Sequence, residues 1–177
     1  MKEQSTRQIH FRGKVVDMTT ESIQLPNGKQ LLMDIVVHPG GAAVVALDDS
    51  DQVCLLRQYR GAIDEWVWEL PAGKIDHREP AQETARRELM EEVGLHAKHW
   101  HTLGHVISSP GVFTEKVYLY LATGLSQHAS QQEEHEVFEI HWLPLADSLQ
   151  WCMDGSISDA KSVAGLLRAD HFLQSLS

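Results

Sequence analysis

The sequence contains only two cysteines and no long run of apolar residues. Cys54 and Cys152 lie far apart and form no pair of the metal-binding or redox type, so we expect two buried, reduced thiols. The longest apolar stretches, such as residues 42–47, fall well short of the about 20 residues that a membrane-spanning helix needs. Residues 1–14 carry basic side chains without a following apolar core, unlike a secretory signal. We therefore expect a cytoplasmic protein without a membrane segment.

Basic residues are also scarce in this chain. The 15 lysines and arginines are outnumbered by 25 aspartates and glutamates, which gives a formal net charge of -10. Such a chain repels the phosphate backbone of a nucleic acid, so nucleic-acid binding is not expected. A small phosphorylated ligand stays open, because one divalent metal reverses the local field of a carboxylate cluster. The length of 177 residues is that of one globular domain with one sizeable core.

Extended patterns predict many strands, beginning with a hairpin near the amino terminus. Residues 9–38 contain two extended runs joined by the turn sequence Pro26-Asn27-Gly28-Lys29. We interpret residues 1–40 as an amino-terminal hairpin region and residues 41–177 as the main part of a chain that is a single domain overall. Further strands are predicted at residues 42–47, 53–59, 65–70, 101–107, 117–122 and 138–143.

Three segments have helical character. Between Pro80 and Val93 good helix formers follow a proline in the first turn, and Gly94 comes directly after the predicted end. A second helix ends before Gly155 and places four residues on one inward face: Leu145, Leu149, Cys152 and Met153. Asp159 is the predicted cap of a last helix, whose inward residues are Val163, Ala164, Leu167 and Phe172. Strands with a few helices indicate a mixed α+β domain.

The first predicted helix carries a cluster of acidic residues. Glu88, Glu91 and Glu92 are spaced at i, i+3 and i+4, so their carboxylates share one helix face. Arg87 offsets their mutual repulsion only weakly, by about 0.2–0.5 kcal/mol if exposed, so a stronger cation is expected. Mg2+, or Mn2+ in its place, suits clustered carboxylate oxygens and shares its shell with substrate phosphates, which indicates phosphoryl chemistry. The alternative is a solvated acidic helix face without a metal.

The acidic cluster belongs to a longer pattern. Gly73 is followed by five residues, Glu79, seven residues, and then Arg87-Glu88-Leu89-Met90-Glu91-Glu92-Val93-Gly94-Leu95. This segment resembles the Nudix box at every fixed position, and chance would give seven such matches on the order of once in 10⁸ start positions. The chain is identified by this resemblance as a member of the Nudix hydrolase superfamily, which cleaves diphosphates linked to another group. The resemblance implies the Nudix fold, a mixed β-sheet sandwiched between helices.

The Nudix resemblance also implies roles for the residues of the box. The implied metal ligands are Glu88, Glu91, Glu92 and the carbonyl of Ala72, which directly precedes the box. Arg87 and Glu79 are implied to orient the loop and the helix, and Arg87 and Glu91 are counted with the catalytic residues. Gly73 is implied to allow a close backbone turn, and Gly94 ends the box.

Segments around the box resemble the ADP-ribose pyrophosphatase branch of the superfamily. They are RQYR at residues 57–60, ELPAGKID at 69–76, SPG at 109–111 with Glu115 beyond, and DAKSVAGLL at 159–167. Pro110, fifteen residues past Leu95, matches a position by which this branch is recognised, and Gly111 follows it. The resemblance assigns Arg60 to the substrate phosphates, a role that suits a guanidinium fork. Residues 112–114, Val-Phe-Thr, depart from the Phe-Ser-Asp of many relatives, which leaves the sugar open.

Two tryptophans and an arginine are further candidates for substrate binding. Trp66 and Trp68 lie two apart on a predicted strand, so both rings emerge on one face, where they border a nucleotide base or pack in the core. Arg57 is either a substrate contact or a surface charge. Relatives place aromatic side chains around the adenine, sometimes across a dimer interface. The resemblance thus implies a homodimer, with the amino-terminal hairpin as a candidate contact.

The polar run of residues 126–135 is expected to be a mobile loop. By resemblance this loop closes over the substrate with a Glu-x-Glu pair, which Glu134-His135-Glu136 matches. Glu134 is then the general base that activates water, and Glu136 is an additional metal ligand. A merely solvated charged loop is the alternative.

Together these features predict Mg2+-dependent hydrolysis of a small-molecule nucleotide sugar. The leading substrate is ADP-ribose, which gives AMP and ribose 5-phosphate. One alternative is the same chemistry on GDP-mannose or on a broad range of nucleoside diphosphate sugars. Another alternative is a Nudix-derived sensor that binds such ligands without cleaving them, although the intact glutamates of the box argue against it.

Overall fold

The computed structural model describes residues 7–76, 78–128 and 137–176. The described residues form ten strands and three helices: β1 (Arg7–Arg12), β2 (Asp17–Gln24), β3 (Gln30–Val37), β4 (Gly41–Ala46), β5 (Gln52–Arg60), β6 (Glu65–Glu69), β7 (Ala72–Lys74), α1 (Ala81–Val93), β8 (Leu95–Ile107), β9 (Lys116–Gln127), β10 (Phe138–Pro144), α2 (Leu145–Asp154) and α3 (Ala160–Gln174). Of the predicted mobile loop at residues 126–135, residues 126 and 127 belong instead to β9, and residues 129–135 lie outside the described range.

The strands are arranged in three sheets. The amino-terminal sheet has the order β1-β2-β3, a second sheet has the order β10-β5-β6, and the third has the order β7-β4-β9-β8. In the third sheet β4 and β9 run parallel, while β7 lies antiparallel to β4 with Ala72 opposite Ala43. The first residues of the box are therefore held directly beside the central strand.

The third sheet lies between two helices. Strand β4 is buried along its whole length. Its Ala43 and Val45 belong to the core cluster that contains Leu166 and Ala169 of α3, whereas its alternate residues pack with Ala85 and Leu89 of α1. Continuous apolar side chains are expected for a strand that is covered on both faces. The predicted sandwich of a mixed sheet between helices is thus confirmed.

Most predicted strands are confirmed, and the structure lengthens some of them and adds two strands. The amino-terminal hairpin is present as β2 and β3, and Gly28 in its turn has a φ of 81° that suits glycine. Strand β1 adds a third strand to it, and β8 begins at Leu95 rather than at residue 101. The short β7 was not predicted, because three residues give no periodic signal.

The helices are confirmed, but several of their inward residues are corrected. Pro80 has extended backbone angles and precedes α1 instead of occupying its first turn. Met153 of α2 is 78% exposed. On α3 the buried residue is Leu166, whereas Leu167 is 40% exposed. The buried face of α3 also contains the small residues Ser162, Gly165 and Ala169. These small residues determine which side of the helix packs against the core. Of the helices in the described part of the chain, none is both long and apolar enough to cross a membrane.

Candidate active site

A cleft with a volume of about 810 Å³ opens beside the start of the box. It is bounded by β4 and β7, by the end of β6, by the start of β9 and by the residues that lead into α3. Its ionisable lining side chains are His38, Arg60, Glu69, Lys74, Glu115, Asp159 and Lys161. Cationic groups and hydrogen-bond acceptors in one cleft suit a ligand that carries both phosphates and hydroxyls.

Arg87 of α1 joins the acidic residues of the box. Its Nη1 donates to Glu88 at 2.7 Å and to Glu91 at 2.8 Å. Its Nη2 donates to the carbonyl of Lys74 at 3.2 Å and to Glu79 at 3.4 Å. Burial alone would lower the pKa of Arg87, but the hydrogen bonds and charges of Glu91 and Glu88 hold that pKa above its usual value. The guanidinium therefore links the loop of the box to its helix.

Ala72 and Gly73 meet the carboxylates of Glu92 and Glu88 at the wall of the cleft. Glu92 is 3% exposed and accepts a hydrogen bond from the backbone N–H of Ala72 at 2.9 Å. A Cβ atom at Gly73 would lie only 1.9 Å from Oε1 of Glu88. The close backbone turn predicted at Gly73 is thus corrected: this glycine lies in a strand, and what it permits is the close approach of a carboxylate.

The chemistry of the donor groups fits a divalent cation. Among residues 7–76, 78–128 and 137–176, no three His, Cys, Asp or Glu side chains are grouped so that they could hold a metal ion. Mg2+, however, takes oxygen ligands and is commonly bound by one or two carboxylates together with water and substrate phosphate. Metal binding by Glu88, Glu91, Glu92 and Ala72 stays a prediction. The predicted base Glu134 and the additional ligand Glu136 lie outside the described residues.

Arg60 lines the cleft, and two nitrogens of its guanidinium group are already hydrogen-bonded within the protein. Its Nε and Nη2 donate to the two carboxylate oxygens of Glu69, both at 2.6 Å. The Glu69 side chain is 4% exposed, and Lys161 also donates to it at 2.5 Å. Burial raises the pKa of Glu69, but Arg60 and Lys161 outweigh this effect and hold the pKa below its ordinary value. A phosphate contact from Arg60 therefore has to use the remaining guanidinium donors.

Glu115 also lines the cleft, and neighbouring side chains hold it in place. It accepts a hydrogen bond from the hydroxyl of Ser108, and its Oε1 lies 3.3 Å from Nδ1 of His38. His38 is fixed in turn by Thr114, whose hydroxyl accepts from the backbone N–H of His38 at 2.9 Å. Burial lowers the pKa of His38 although the nearby Glu115 raises it. A carboxylate fixed in this way is suited to accept hydrogen bonds from sugar hydroxyls.

Three of the predicted substrate-binding residues lie on the face of their sheet that turns away from the cleft. Val67 and Glu69 of β6 line the cleft, so the alternating side chains of Trp66 and Trp68 point to the other face. The Trp66 ring lies 5.4 Å from the guanidinium of Arg57, and Trp68 packs on the core. Pro110 and Gly111 lie in the exposed turn between β8 and β9.

Sequence reasoning missed Glu69, Lys161 and His38 as residues of the cleft. Glu69 and Lys161 lie within the segments ELPAGKID and DAKSVAGLL, but their contact joins residues 92 positions apart. No pattern within one element signals such a pair. His38 carries no motif signal, since a single histidine before a Pro-Gly turn is unremarkable.

The chain is similar to a known protein family and to several known proteins. The NUDIX domain family matches residues 37–164. An ADP-ribose pyrophosphatase of Mycobacterium tuberculosis (strain ATCC 25618 / H37Rv) is 35% identical over 166 residues, which cover 92% of this chain and 80% of that protein. An ADP-ribose pyrophosphatase of Bacillus subtilis (strain 168) is 36% identical over 154 residues, which cover 86% and 83%.

Two further similarities widen the comparison. A methanol dehydrogenase activator of Bacillus methanolicus is 36% identical over 160 residues, which cover 89% of this chain and 86% of that protein. A crystal structure of an ADP compounds hydrolase superposes with a TM-score of 0.81 at 22% identity and covers 99% of this chain and 97% of that one. The fold, the box and the similarity over most of the chain lead to one conclusion: this protein belongs to the Nudix family.

Proposed function

We propose that this protein is a pyrophosphohydrolase that cleaves ADP-ribose to AMP and ribose 5-phosphate and uses Mg2+ as its metal. The observation that carries the proposal is the meeting of Glu88 and Glu92 with Ala72 and Gly73 at the wall of the cleft. Two ADP-ribose pyrophosphatases at 35% and 36% identity support the choice of substrate.

The acidic residues of the box would hold the metal. These residues are Glu88, Glu91 and Glu92 with the carbonyl of Ala72, and Glu136 is proposed as an additional ligand. When bound, Mg2+ neutralises charge on phosphate oxygens and acidifies a bound water, and Mn2+ can serve the same chemistry. Glu134 takes the proton of the attacking water as general base. Arg87 keeps Glu88 and Glu91 in place through its 2.7 and 2.8 Å hydrogen bonds.

The remaining groups of the cleft bind the two ends of the substrate. Arg60 donates to a phosphate oxygen from the part of its guanidinium that Glu69 does not occupy. Glu115, held by Ser108 and His38, accepts hydrogen bonds from the ribose hydroxyls. Pro110 and Gly111 shape the turn that leads to Glu115.

We further propose a cytoplasmic homodimer in which the partner copy completes the base-binding site. Arg57 and Trp66 form an exposed cation–aromatic pair on the face opposite the cleft, a surface that suits a purine base of the partner's ligand. Trp68 packs behind this pair. The amino-terminal region of residues 1–40 is the proposed contact, because its sheet exposes large apolar side chains such as Phe11 and Leu32.

The proposal is tested by product analysis with purified protein. Mg2+ is added with ADP-ribose, GDP-mannose, ADP-glucose, NADH or a nucleoside triphosphate, and nucleoside monophosphate release is followed by chromatography. Preferential formation of AMP from ADP-ribose is expected. Preference for another compound would replace the substrate and retain the pyrophosphohydrolase chemistry.

A second candidate is activity on a broader range of nucleoside diphosphate compounds. The residues Val112-Phe113-Thr114 next to Glu115 differ from the Phe-Ser-Asp of many relatives, which favours a different sugar contact. A Streptomyces rubellomurinus relative at 28% identity is a hydrolase of a CMP-linked phosphonate, so substrates vary among similar chains. Similar turnover of several compounds in the panel would support this candidate, and binding without any product would support a sensor.

A further inference from the structure

Lys161 lines the cleft, and its ammonium group donates to Glu69 and Asp159. We propose that Lys161 is a positioning residue: it fixes Glu69, and through Glu69 it sets the orientation in which Arg60 presents its remaining donors to a substrate phosphate. The inference rests on the proposed function, since it concerns how the same cleft binds a pyrophosphate.

Arg60 needs a fixed partner to keep one orientation. Its side chain is 42% exposed, so packing alone leaves its long chain considerable freedom. Two parallel hydrogen bonds to Glu69 fix the plane of the guanidinium and leave Nη1 and one proton of Nη2 for a ligand. The direction of those donors therefore follows the position of the Glu69 carboxylate.

Lys161 holds that carboxylate from the other side. Its ammonium lies 2.5 Å from Oε2 of Glu69 and 2.9 Å from Oδ2 of Asp159, and its side chain is 15% exposed. Asp159 balances the charge of Lys161, so two carboxylates and two cations, including Arg60, form a closed group. A buried carboxylate is costly unless it is paired, and Glu69 is paired at both oxygens.

The start of α3 gives Lys161 a rigid base. Asp159 caps the helix and accepts from the N–H of Ser162 at 3.0 Å. The Ser162 hydroxyl accepts from the N–H of Leu70, the residue after Glu69, at 2.8 Å. A Cβ at Gly165 would meet Leu70 at 2.6 Å, so the helix lies directly on this corner of β6. The distance from Lys161 to Glu69 is therefore set by helix docking rather than by a flexible loop.

The test compares Lys161→Met, Lys161→Arg and a control on the same helix. Lys161→Met removes the charge and keeps most of the chain length, whereas Lys161→Arg retains a donor for Glu69. The control is Arg168→Met, because Arg168 binds only backbone carbonyls, those of Leu103 and His105, among its described contacts. We expect Lys161→Met to raise KM about tenfold with kcat within about twofold, since a lost ground-state contact weakens binding more than turnover.

Rescue and coupling distinguish positioning from a merely structural role. Lys161→Arg should restore KM to within about threefold of the wild-type value, and Arg168→Met should leave KM unchanged even if Tm falls. Because Lys161 acts through Arg60, the double variant Lys161→Met/Arg60→Met should have the KM of Arg60→Met alone. Calorimetric titration of ADP-ribose in EDTA should show the same order of affinities without turnover.

The outcomes separate this inference from the proposed function. Additive effects in the double variant, an unchanged KM in Lys161→Met, or an equal rise of KM in Arg168→Met would each overturn the role of Lys161. The kinetic comparison uses whichever pyrophosphate compound the wild-type protein turns over. If ADP-ribose is not a substrate, the proposed function is contradicted. The role of Lys161 is then tested with the compound that is turned over.

Discussion

At the scale of single residues, the space beside Gly73 decides where the carboxylate of Glu88 lies. A methyl group there would sit 1.9 Å from Oε1 and 2.1 Å from the carboxyl carbon of Glu88. Gly73→Ala should lower kcat at least about tenfold, because even a small displacement of a reacting or metal-holding group is costly. Tm should change little, since the displaced atoms are the flexible end of a side chain.

The control for Gly73→Ala is Gly61→Ala, because an added Cβ at Gly61 meets nothing within 4 Å. Both kcat and Tm of this control should equal the wild-type values. An unchanged kcat in Gly73→Ala would show that the position of Glu88 does not matter for turnover.

Glu92 combines a structural contact with its predicted role as a ligand. Glu92→Gln retains an oxygen for the N–H of Ala72, now 2.9 Å away, and removes the negative charge. We expect kcat to fall at least about a hundredfold, since metal stabilisation of the transition state contributes several kcal/mol. Glu83→Gln on the exposed side of the same helix is the matched control and should keep full activity. Turnover of Glu92→Gln at the wild-type rate would contradict the proposed role of Glu92 as a metal ligand.

At the scale of elements, α1 depends on its two ends. The helix stops because Gly94 adopts φ 67°, a left-handed conformation in which its N–H reaches the carbonyls of Leu89 and Met90. Gly94→Ala should reduce the free energy of unfolding by about 1 kcal/mol, because a side chain is disfavoured at this φ. For a chain of this length Tm should fall by roughly 2–4 °C in a thermal melt. A melt that matches that of Gly61→Ala would contradict this assignment of the helix end.

Local signals predicted these elements well, except where packing competes with them. The turn at Gly28, the end of α1 at Gly94 and the cap Asp159 were all predicted, because each depends on a few adjacent residues. The inward face of α3 was wrong at Leu167, because the helix docks through its small residues. Apolar spacing alone does not show which face allows the closest approach.

At the scale of the whole molecule, the buried Glu69 couples stability to pH. Its pKa is lower in the folded protein than its ordinary value of about 4.3, so the folded state favours the ionised form. Its contribution to stability is complete at neutral pH and is lost as the pH falls from that ordinary value through the folded-state pKa. The wild-type protein should therefore lose more free energy of unfolding than Glu69→Gln between about pH 6 and pH 3.

Denaturant unfolding at several pH values measures this difference. At neutral pH Glu69→Gln should be less stable by on the order of 1–3 kcal/mol, because a charged buried hydrogen-bond partner is lost. The two curves should converge in acid. Glu83→Gln, which alters an exposed carboxylate, should follow the wild-type curve. If wild type and Glu69→Gln lost the same free energy of unfolding as the pH falls, folding would not lower the pKa of Glu69.

The proposed homodimer is also a property of the whole molecule. Phe11 and Met18 lie opposite each other on β1 and β2 and are 59% and 47% exposed. Replacing both with serine should convert the dimer to a monomer in sedimentation velocity, because the apolar contact is lost. Met153→Ser is the control, since Met153 is 78% exposed and lies on α2 rather than on the amino-terminal sheet. A dimer that survives the double substitution would place the contact elsewhere.

Local patterns in the sequence were enough to predict the features whose residues lie close together in the chain. These are the acidic cluster on α1, the box from Gly73 to Leu95, the hairpin, and the ends of α1 and α2 at Gly94 and Gly155. Two features depend instead on packing between elements: Glu69 binds part of the guanidinium group of Arg60, and Trp66 faces away from the cleft. Packing between elements also places Lys161 beside Glu69, although the two residues are 92 positions apart in the chain. Spacing within an element specifies local geometry, whereas such contacts depend on how elements pack, which no single segment encodes.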